Sequence, residues 1–329
     1  MKRALATWQL LSESLRRGEP AVLLYVVQSA GSSPGRQGFI MAVNAAGDMQ
    51  GSIGGGIMEH KLVQLARERL AQPALPPSLH RQIHNKTAPK DQSGMICSGE
   101  QTILLYPVQP SDADAVQQIV AALEHEQAGV LTLAPTTGLA FERNQKPGQA
   151  DYGFTQESAE GWLYREKLGY QNQLHIIGGG HCALAFARLM HTLDFHIQLY
   201  EDRPALNTFL TNAYTHAKNV VSSYSDLASL VPEGDGQYVV IMTFGYRTDD
   251  VALRALLSKN VSFLGVLGSK KKIEKMLGDY RAEGIPPEQL ERLHAPVGLP
   301  IKSQTPEEIA ISIAAQIIAV KNKAQARIL

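Results

Sequence analysis

The sequence predicts an α/β protein in which an N-terminal mixed α+β domain precedes a C-terminal Rossmann-like domain with a parallel sheet. Two observations favour this class. After residue 173, short apolar runs alternate with helical stretches, whereas the first hundred residues contain a strand, a hairpin and a helix. The 329 residues suffice for about two domains. We divide them into 1–108, a small α+β subdomain or insert with a linker at 109–170, and the Rossmann-like domain at 171–329.

The N-terminal segment is predicted to begin with a soluble amphipathic helix, because its apolar residues recur at helical spacing and polar residues interrupt any signal-like core. Residues 21–30 are predicted to form a buried strand, and 39–44 begin a hairpin with a Gly-Asp turn. The hairpin leads into GSIGGGIMEH (51–60), where Gly54, Gly55 and Gly56 precede a helix. Such a turn could bind an anion or permit close packing.

A second glycine cluster, at 178–180, follows a predicted strand and opens a helix. Gly178, Gly180 and Ala183 match the G-x-G-x-x-A form of the dinucleotide fingerprint. The next apolar run ends at Asp202, about 20 residues further on, where an acid that binds ribose hydroxyls is expected. The pattern predicts a nucleotide site, and a turn retained for packing alone is the alternative.

Four other regions carry candidate chemistry. Cys97 lies among small residues, where a thiolate could bind a soft metal or carry sulfur, although a lone cysteine is more often a small buried hydrophobe. Ser269 and Lys270 open a predicted helix, where lysines indicate either an anionic ligand or a solvated cluster. His294 could donate to a ligand or hold its loop, and Glu59 could simply complement a helix dipole.

Composition argues against several classes of protein. Lys plus Arg and Asp plus Glu both number 31, so the formal net charge is zero and no nucleic-acid partner is expected. Two cysteines do not make a disulfide framework, which favours a cytoplasmic location. We expect no membrane segment, and the sequence lacks the Walker A, H-E-x-x-H, C-x-x-C and G-x-S-x-G motifs.

Four blocks of the sequence resemble the xanthine dehydrogenase accessory factor family, also called the XdhC/CoxI family. They are GSSPGRQGFIMAV, GSIGGGIMEH, GMICSG and the C-terminal run from GSKKKIEKM to HAPVGLPIKSQTPEEIAISI, with IIGGGHCA between the last two. The resemblance covers most of the chain except about 109–170. Three positions depart from the family pattern: Ser98 and Lys302 replace glycines, and Phe244 replaces a histidine that follows a threonine.

The resemblance implies a cofactor-binding maturation factor rather than a catalyst. Such a factor would bind molybdenum cofactor (molybdopterin), support its sulfuration and deliver it to a molybdenum hydroxylase such as xanthine dehydrogenase. A cysteine desulfurase would be a further partner, and a homodimer is expected. The residues expected to bind the cofactor are Gly54, Gly55, Gly56, Glu59, Cys97, Gly178, Gly180, His181, Asp202, Ser269, Lys270 and His294, and Cys97 would contact the metal.

Two alternatives to this function stay open. An NAD(P)-dependent oxidoreductase would use Gly178, Gly180 and Asp202, although the sequence offers no evident proton-relay residue. A nucleotide-sensing scaffold would bind a nucleotide without performing chemistry.

Overall fold

The computed structural model describes residues 2–72, 76–83, 99–143, 152–158, 160–170, 172–193 and 195–325. The chain divides into two compact units, Met1–Gly169 and Tyr170–Leu329. In the described part of the chain, no helix combines the length and the apolar character that crossing a membrane requires.

The first unit begins with an antiparallel sheet, which we call the N-terminal sheet. Its elements are α1 (Lys2–Arg17), β1 (Ala21–Gly31), β2 (Ile40–Asn44), β3 (Met49–Gly51), α2 (Gly56–Leu70), β4 (Ser78–Ile83) and β5 (Gly99–Val108). Among the described residues the strand order is β3-β2-β1-β5-β4. The predicted first helix, buried strand and hairpin are confirmed, since β2 pairs with β3 across residues 45–48.

Both faces of the N-terminal sheet are buried, which explains the continuous apolar run of β1. On one face, Val22 and Leu24 pack with Met58 and Leu62 of α2. On the other face, Leu23 and its neighbours pack against α1 and against the elements that follow β5. The helix α2, which carries the first glycine turn at its start, is thus fixed by its apolar side.

The next segment forms a second antiparallel sheet, the middle sheet, with a helix. A 3₁₀ turn at Pro110–Asp112 leads to α3 (Ala113–Glu124), β6 (Gly129–Ala134), β7 (Gly138–Glu142), β8 (Tyr152–Gln156) and β9 (Trp162–Leu168). Leu131 and Tyr164 share one core with Leu23 and Tyr25. The buried Glu166 carboxylate accepts hydrogen bonds from the hydroxyls of Tyr25 and Tyr164. The segment predicted to form a subdomain or insert at 109–170 therefore shares, as far as Gly169, the core of the N-terminal sheet.

The second unit is built on a parallel sheet. Its elements are β10 (Asn172–Ile177), α4 (His181–Met190), β11 (Phe195–Glu201), α5 (Asn207–Leu210), β12 (Ala217–Val220), α6 (Leu227–Leu230), β13 (Gly234–Ile241), α7 (Tyr246–Leu256), β14 (Val261–Val266), α8 (Lys270–Ala282), α9 (Pro287–Glu291), β15 (Leu293–His294) and α10 (Pro306–Gln325). The described strands are parallel and lie in the order β12-β11-β10-β13-β14-β15. This is the strand order of a Rossmann fold, so the predicted fold class is confirmed.

The last helix begins with a capping box formed by Thr305 and Glu308. The N–H of Glu308 donates to Oγ1 of Thr305 at 3.2 Å, and the Glu308 carboxylate accepts from the N–H of Thr305 at 3.2 Å. Ile313 and Ile317 are fully buried in the core that α10 shares with α4. Helices α7 and α8 pack on the opposite face of the sheet. The loops at the carboxyl ends of β10 and β13 meet where the strand order reverses, which is where such sheets bind ligands.

Candidate functional site

The first glycine turn is occupied by a carboxylate of the chain itself. Oε2 of Glu59, in the first turn of α2, accepts hydrogen bonds from the Ile53 N–H at 2.8 Å, the Gly55 N–H at 3.0 Å and the Ser52 hydroxyl at 2.7 Å. These donors are the groups that an anion at this turn would use. A phosphate would have to displace Glu59 in order to bind them.

The backbone of this turn packs tightly against the loop that precedes β2. Gly54 has φ +125°, and a Cβ there would lie 2.5 Å from the backbone nitrogen of Gly35. The buried Gln101 of β5 holds the loop that precedes β2, because its Oε1 accepts from the Gly35 N–H at 2.9 Å and from the Ser33 hydroxyl at 2.7 Å. The glycine at position 54 is therefore required by close packing between two loops of the first unit.

Two positions of interest in the GMICSG block, Cys97 and Ser98, lie outside the described residues. The proposed sulfur or metal contact of Cys97 therefore rests on the sequence alone. In the part of the chain that the structure describes, no group of three or more His, Cys, Asp or Glu side chains is arranged to hold a metal ion.

The second glycine turn joins β10 to α4. The N–H of Gly178 donates to the carbonyl of Tyr200 at 2.8 Å. A Cβ on Gly178, at φ +103°, would lie 2.6 Å from the carbonyl oxygen of Met242. Gly180 is the N-cap of α4 and provides no side-chain cap, and His181, the first residue of the helix, is exposed. The start of α4 thus offers backbone N–H groups at the carboxyl edge of the sheet.

The acid that accepts a hydrogen bond from this turn is Glu201, the residue before Asp202, for which the sequence predicts a contact with ribose hydroxyls. Oε2 of the fully buried Glu201 accepts from the Gly179 N–H at 2.6 Å. The Arg203 guanidinium also binds Glu201, with Nε 2.7 Å from Oε1 and Nη2 3.1 Å from Oε2. Strand alternation explains the choice, because Glu201 continues the buried face that includes Leu199. Asp202 comes one residue later and faces away from that side.

Asp202 instead lies beside Tyr224, whose hydroxyl donates to Oδ1 of Asp202 at 3.2 Å. Burial, together with the neighbouring Glu201 carboxylate, raises the pKa of Asp202. Burial also opposes ionisation of Glu201, but hydrogen bonds from Arg203 and Gly179 outweigh it, and the pKa of Glu201 lies below its ordinary value. The acid adjoining the glycine turn is thus held in its charged form.

The loop after β13 forms the other wall of the crevice. Oδ1 of the fully buried Asp249 accepts from the N–H of Thr243 at 3.1 Å and from its hydroxyl at 2.7 Å. Oδ2 of Asp249 pairs with the Lys272 ammonium, which also donates to the Leu267 carbonyl at 2.8 Å. Phe244, the next residue after Thr243, is 86% exposed.

The lysine cluster at the start of α8 separates into two groups. Ser269 is the N-cap, and its Oγ accepts from the Lys272 N–H at 3.3 Å. Lys272 is held by Asp249, which gives this cation near a helix N-terminus an internal partner. Lys270 and Lys271 are exposed. Of the cluster, Lys270 is the one predicted site residue that could meet an approaching anion.

His294, on the edge strand β15, packs inside the unit. Its ring stacks on Phe263 with centroids 4.2 Å apart, and its Nδ1 lies 3.3 Å from Nε2 of Gln316. Burial lowers the pKa of His294, which favours the neutral ring. These contacts support the second of the two roles left open by the sequence, namely that His294 holds its loop.

The structure thus brings several predicted residues to the carboxyl edge of the parallel sheet: Gly178, Gly180, His181, Asp202, Ser269 and Lys270. Sequence reasoning missed Glu201, Arg203 and the Asp249–Lys272 pair. Period-two alternation along β11 could have indicated Glu201. No local sequence pattern indicates the ion pair between Asp249 and Lys272, because the two residues lie on different crossover helices.

Models of known protein families match two segments of this chain. A model of the XdhC and CoxI family matches residues 14–76, and a model of the XdhC Rossmann domain matches residues 174–317. Together the two segments span more than half of the chain. The chain belongs to the XdhC and CoxI family. The resemblance inferred from the sequence motifs is therefore confirmed.

Relatives in bacteria agree with membership of the XdhC and CoxI family. The chain is 27% identical to the Escherichia coli (strain K12) protein called uncharacterized protein YqeB, over 93% of this chain and 44% of that protein. It is 25% identical to a Bacillus subtilis (strain 168) protein named as a probable subunit of xanthine dehydrogenase, over 49% of this chain and 46% of the relative. The chain therefore matches less than half the length of either relative.

A solved structure shares the fold of this family member. The crystal structure of a xanthine dehydrogenase from Bacillus halodurans superposes with a TM-score of 0.70 at 22% identity, covering 96% of each chain. At this level of identity, the match shows the fold and nothing further.

Proposed function

We propose that the chain is an accessory factor for xanthine dehydrogenase or a related molybdenum hydroxylase. In this role it binds molybdenum cofactor, holds it while a terminal sulfur is added, and delivers it to the enzyme. The observation that carries the proposal is the match of both units to XdhC family models. The Bacillus subtilis relative whose name refers to xanthine dehydrogenase supports it.

The molybdenum cofactor is the cargo in this proposal, and its chemistry suits the carboxyl edge of the parallel sheet. It carries a phosphate, and often a nucleotide. Helix α4 begins there with a glycine N-cap, so its first N–H groups favour an anion. The exposed Lys270 supplies positive charge at the start of α8. Gly180, His181 and Lys270 are the proposed phosphate contacts.

In this proposal, a cysteine of the first unit would provide a soft ligand for molybdenum. A thiolate binds soft metals, and molybdenum with its dithiolene is a soft centre, so Cys97 is the proposed metal or sulfur contact. The turn at Gly54 to Gly56 is the proposed cofactor-facing loop, and the Glu59 carboxylate, which already binds its donors, would be displaced or would contact the cofactor. A cysteine desulfurase as the sulfur source, a homodimer and a cytoplasmic location complete the proposal.

Delivery and sulfuration are tested by transfer to an apo-enzyme. The loaded chain, mixed anaerobically with an apo form of a molybdenum hydroxylase, should restore hydroxylase activity faster than an equal amount of free cofactor. Cyanide treatment of the loaded chain should release the terminal sulfur as thiocyanate. Activation no better than that by free cofactor would contradict the delivery role.

The strand order and the glycine turn also favour a second candidate, an NAD(P)-dependent oxidoreductase. The Glu201 carboxylate is already bound by Arg203 and Gly179, which leaves the partly exposed Asp202 as the acid for ribose hydroxyls in this candidate. Tight binding of NAD(H) or NADP(H), followed by turnover of a small carbonyl compound, would favour this candidate. Nucleotide binding without pterin binding would indicate a sensing scaffold.

A further inference from the structure

We propose that Phe244 and Arg203 form a stacking site for the flat heteroaromatic ring of a phosphate-bearing ligand. The site lies at the carboxyl edge of the parallel sheet. The inference rests on the proposed function where it names the molybdenum cofactor as the ligand. Both the pterin ring of this cofactor and the base of its nucleotide form are flat heteroaromatic rings. The stacking itself requires only that a flat heteroaromatic ligand with a phosphate binds at the carboxyl edge of the parallel sheet.

Phe244 is presented to solvent by a fixed backbone. Its side chain is 86% exposed, although the residues on both sides of it are tied down. Thr243 is held by Asp249 through its N–H and its hydroxyl, and the Gly245 N–H donates to Oγ1 of Thr248 at 3.2 Å. A large aromatic ring on a rigid loop is already oriented for a ligand, so binding costs little conformational entropy.

The place of Phe244 in the fold points to a ligand. It lies three residues after the end of β13, which neighbours β10. The glycine turn after β10 touches this loop, because a Cβ on Gly178 would lie 2.8 Å from Cα of Thr243. Phe244 therefore borders the crevice where the strand order reverses, and sheets of this order bind ligands there.

Arg203 gives the site its positive charge. Its guanidinium carbon lies 5.4 Å from the centre of the Phe244 ring, within the range of a cation–π contact. Two hydrogen bonds to Glu201 fix the guanidinium, and 41% of the Arg203 side chain stays exposed. A ring that stacks on Phe244 would also contact this planar cation, whose charge is paired with Glu201. The pair thus suits a flat heteroaromatic ring, and the exposed Lys270 with the start of α4 suits its phosphate.

Matched ligands and variants test the stacking site in the full-length chain. The ring probes are 6-hydroxymethylpterin diphosphate, CDP, GDP and ADP, and inorganic diphosphate is the probe without a ring. Phe244→Ala should weaken the ring probes about tenfold or more, because stacking of one base on an aromatic side chain is typically worth this much. Phe244→Tyr should bind within about twofold of the wild type, and diphosphate should bind all three alike.

The control variant is Leu230→Ala. Leu230 is 47% exposed and ends α6 shortly before β13 starts, so it lies towards the opposite, amino edge of the sheet. It should leave every probe unaffected. The probe that binds most tightly shows whether the site prefers a pterin ring or a nucleotide base. Thermal melting should be nearly unchanged in Phe244→Ala, because the ring buries little surface.

Three results would overturn the stacking site: no probe binds the wild type, Phe244→Ala binds ring probes like the wild type, or it loses diphosphate equally. The molybdenum and pterin content of the purified wild type separates this inference from the proposed function. If the ring probes bind the wild type but not Phe244→Ala, and the purified wild type carries no molybdenum, the stacking site is supported and the proposed function is refuted. Ring probes that bind the wild type and Phe244→Ala alike, on a chain that carries molybdenum and pterin, would refute the stacking site and retain the function.

Discussion

The carboxylate of Glu59 accepts a hydrogen bond from the backbone N–H of Gly55, four residues earlier, at 3.0 Å. In the other unit, the carboxylate of Glu201 accepts one from the N–H of Gly179 at 2.6 Å. Each glycine turn that the sequence predicted to face an anion is thus engaged by an acid of the chain itself. We infer that these acids fix the shape of the turns, and the phosphate contacts proposed above lie beside the second turn, at the start of α4.

The first prediction concerns Glu59. Glu59→Gln keeps the size of the side chain but removes the charge that strengthens three hydrogen bonds to one oxygen. We expect the first unit to lose about 1–2 kcal/mol of unfolding free energy, measured by urea denaturation. Glu68→Gln, at an exposed position on the same helix, should change it by less than about 0.5 kcal/mol. Equal effects of the two variants would show that the turn does not depend on Glu59.

A second prediction separates two adjacent glycines. Gly54→Ala should be severely destabilising, by about 3 kcal/mol or more, because the new Cβ would lie 2.5 Å from the backbone nitrogen of Gly35 and φ is +125°. Gly55→Ala should cost less, about 1–3 kcal/mol, because a Cβ there meets nothing within 4 Å and only the backbone conformation, φ +73° with ψ −173°, disfavours a side chain. Thermal melting of both variants measures the difference. A milder effect at Gly54 than at Gly55 would contradict the close packing described for this turn.

The third prediction concerns the ion pair behind Phe244. Lys272→Met leaves the fully buried Asp249 carboxylate without its cation, so the second unit should lose about 3–5 kcal/mol of unfolding free energy. The double variant Asp249→Asn with Lys272→Met should recover part of the loss, because no unpaired charge remains. Lys270→Met, at an exposed position two residues earlier, is the matched control and should have little effect. A double variant less stable than Lys272→Met alone would argue against a charge-pairing role.

The fourth prediction is that the ionisation of Glu201 and that of Asp202 affect folding stability with opposite sign. The folded-state pKa of Glu201 is lowered, so its ionised form stabilises the fold above about pH 4.5, and this contribution is lost as the pH falls through the folded pKa. Glu201→Gln should therefore destabilise the chain at pH 7, and the difference from the wild type should shrink under acid conditions.

Asp202 should behave in the opposite way. Its pKa is raised by burial and by the Glu201 carboxylate, so its charge disfavours the fold at pH 7. Asp202→Asn should be as stable as the wild type or more stable at pH 7, and the gain should vanish once both acids are protonated. Thermal melting between pH 3 and pH 7 measures both variants. Identical pH profiles for the two variants would refute the assignment of Glu201 as the acid bound to the turn.

Local patterns predicted much of the fold. Apolar runs correctly indicated β10, β11, β13 and β14, because strands buried on both faces leave such runs in the sequence. The Thr305–Glu308 capping box marked the start of α10, because a cap is a local interaction.

Contacts between distant residues could not be predicted in this way. Asp249 and Lys272 meet because β13 and β14 are neighbours, which places the starts of α7 and α8 side by side. The shared core of the N-terminal and middle sheets likewise depends on packing between elements far apart in the sequence, such as Tyr25 and Tyr164. The contact of Glu201 with Gly179 is intermediate, because alternation along β11 could indicate which acid is buried but not which N–H group it meets.

The most direct test of the central claim measures the molybdenum and pterin bound to the chain. Protein is purified anaerobically from a host that makes molybdenum cofactor and, as a control, from a host that cannot make it. We expect molybdenum by elemental analysis and pterin by fluorescence after oxidation, in comparable amounts, in the first preparation alone. Neither component in the first preparation, and no binding when the cofactor is added, would contradict the proposed function.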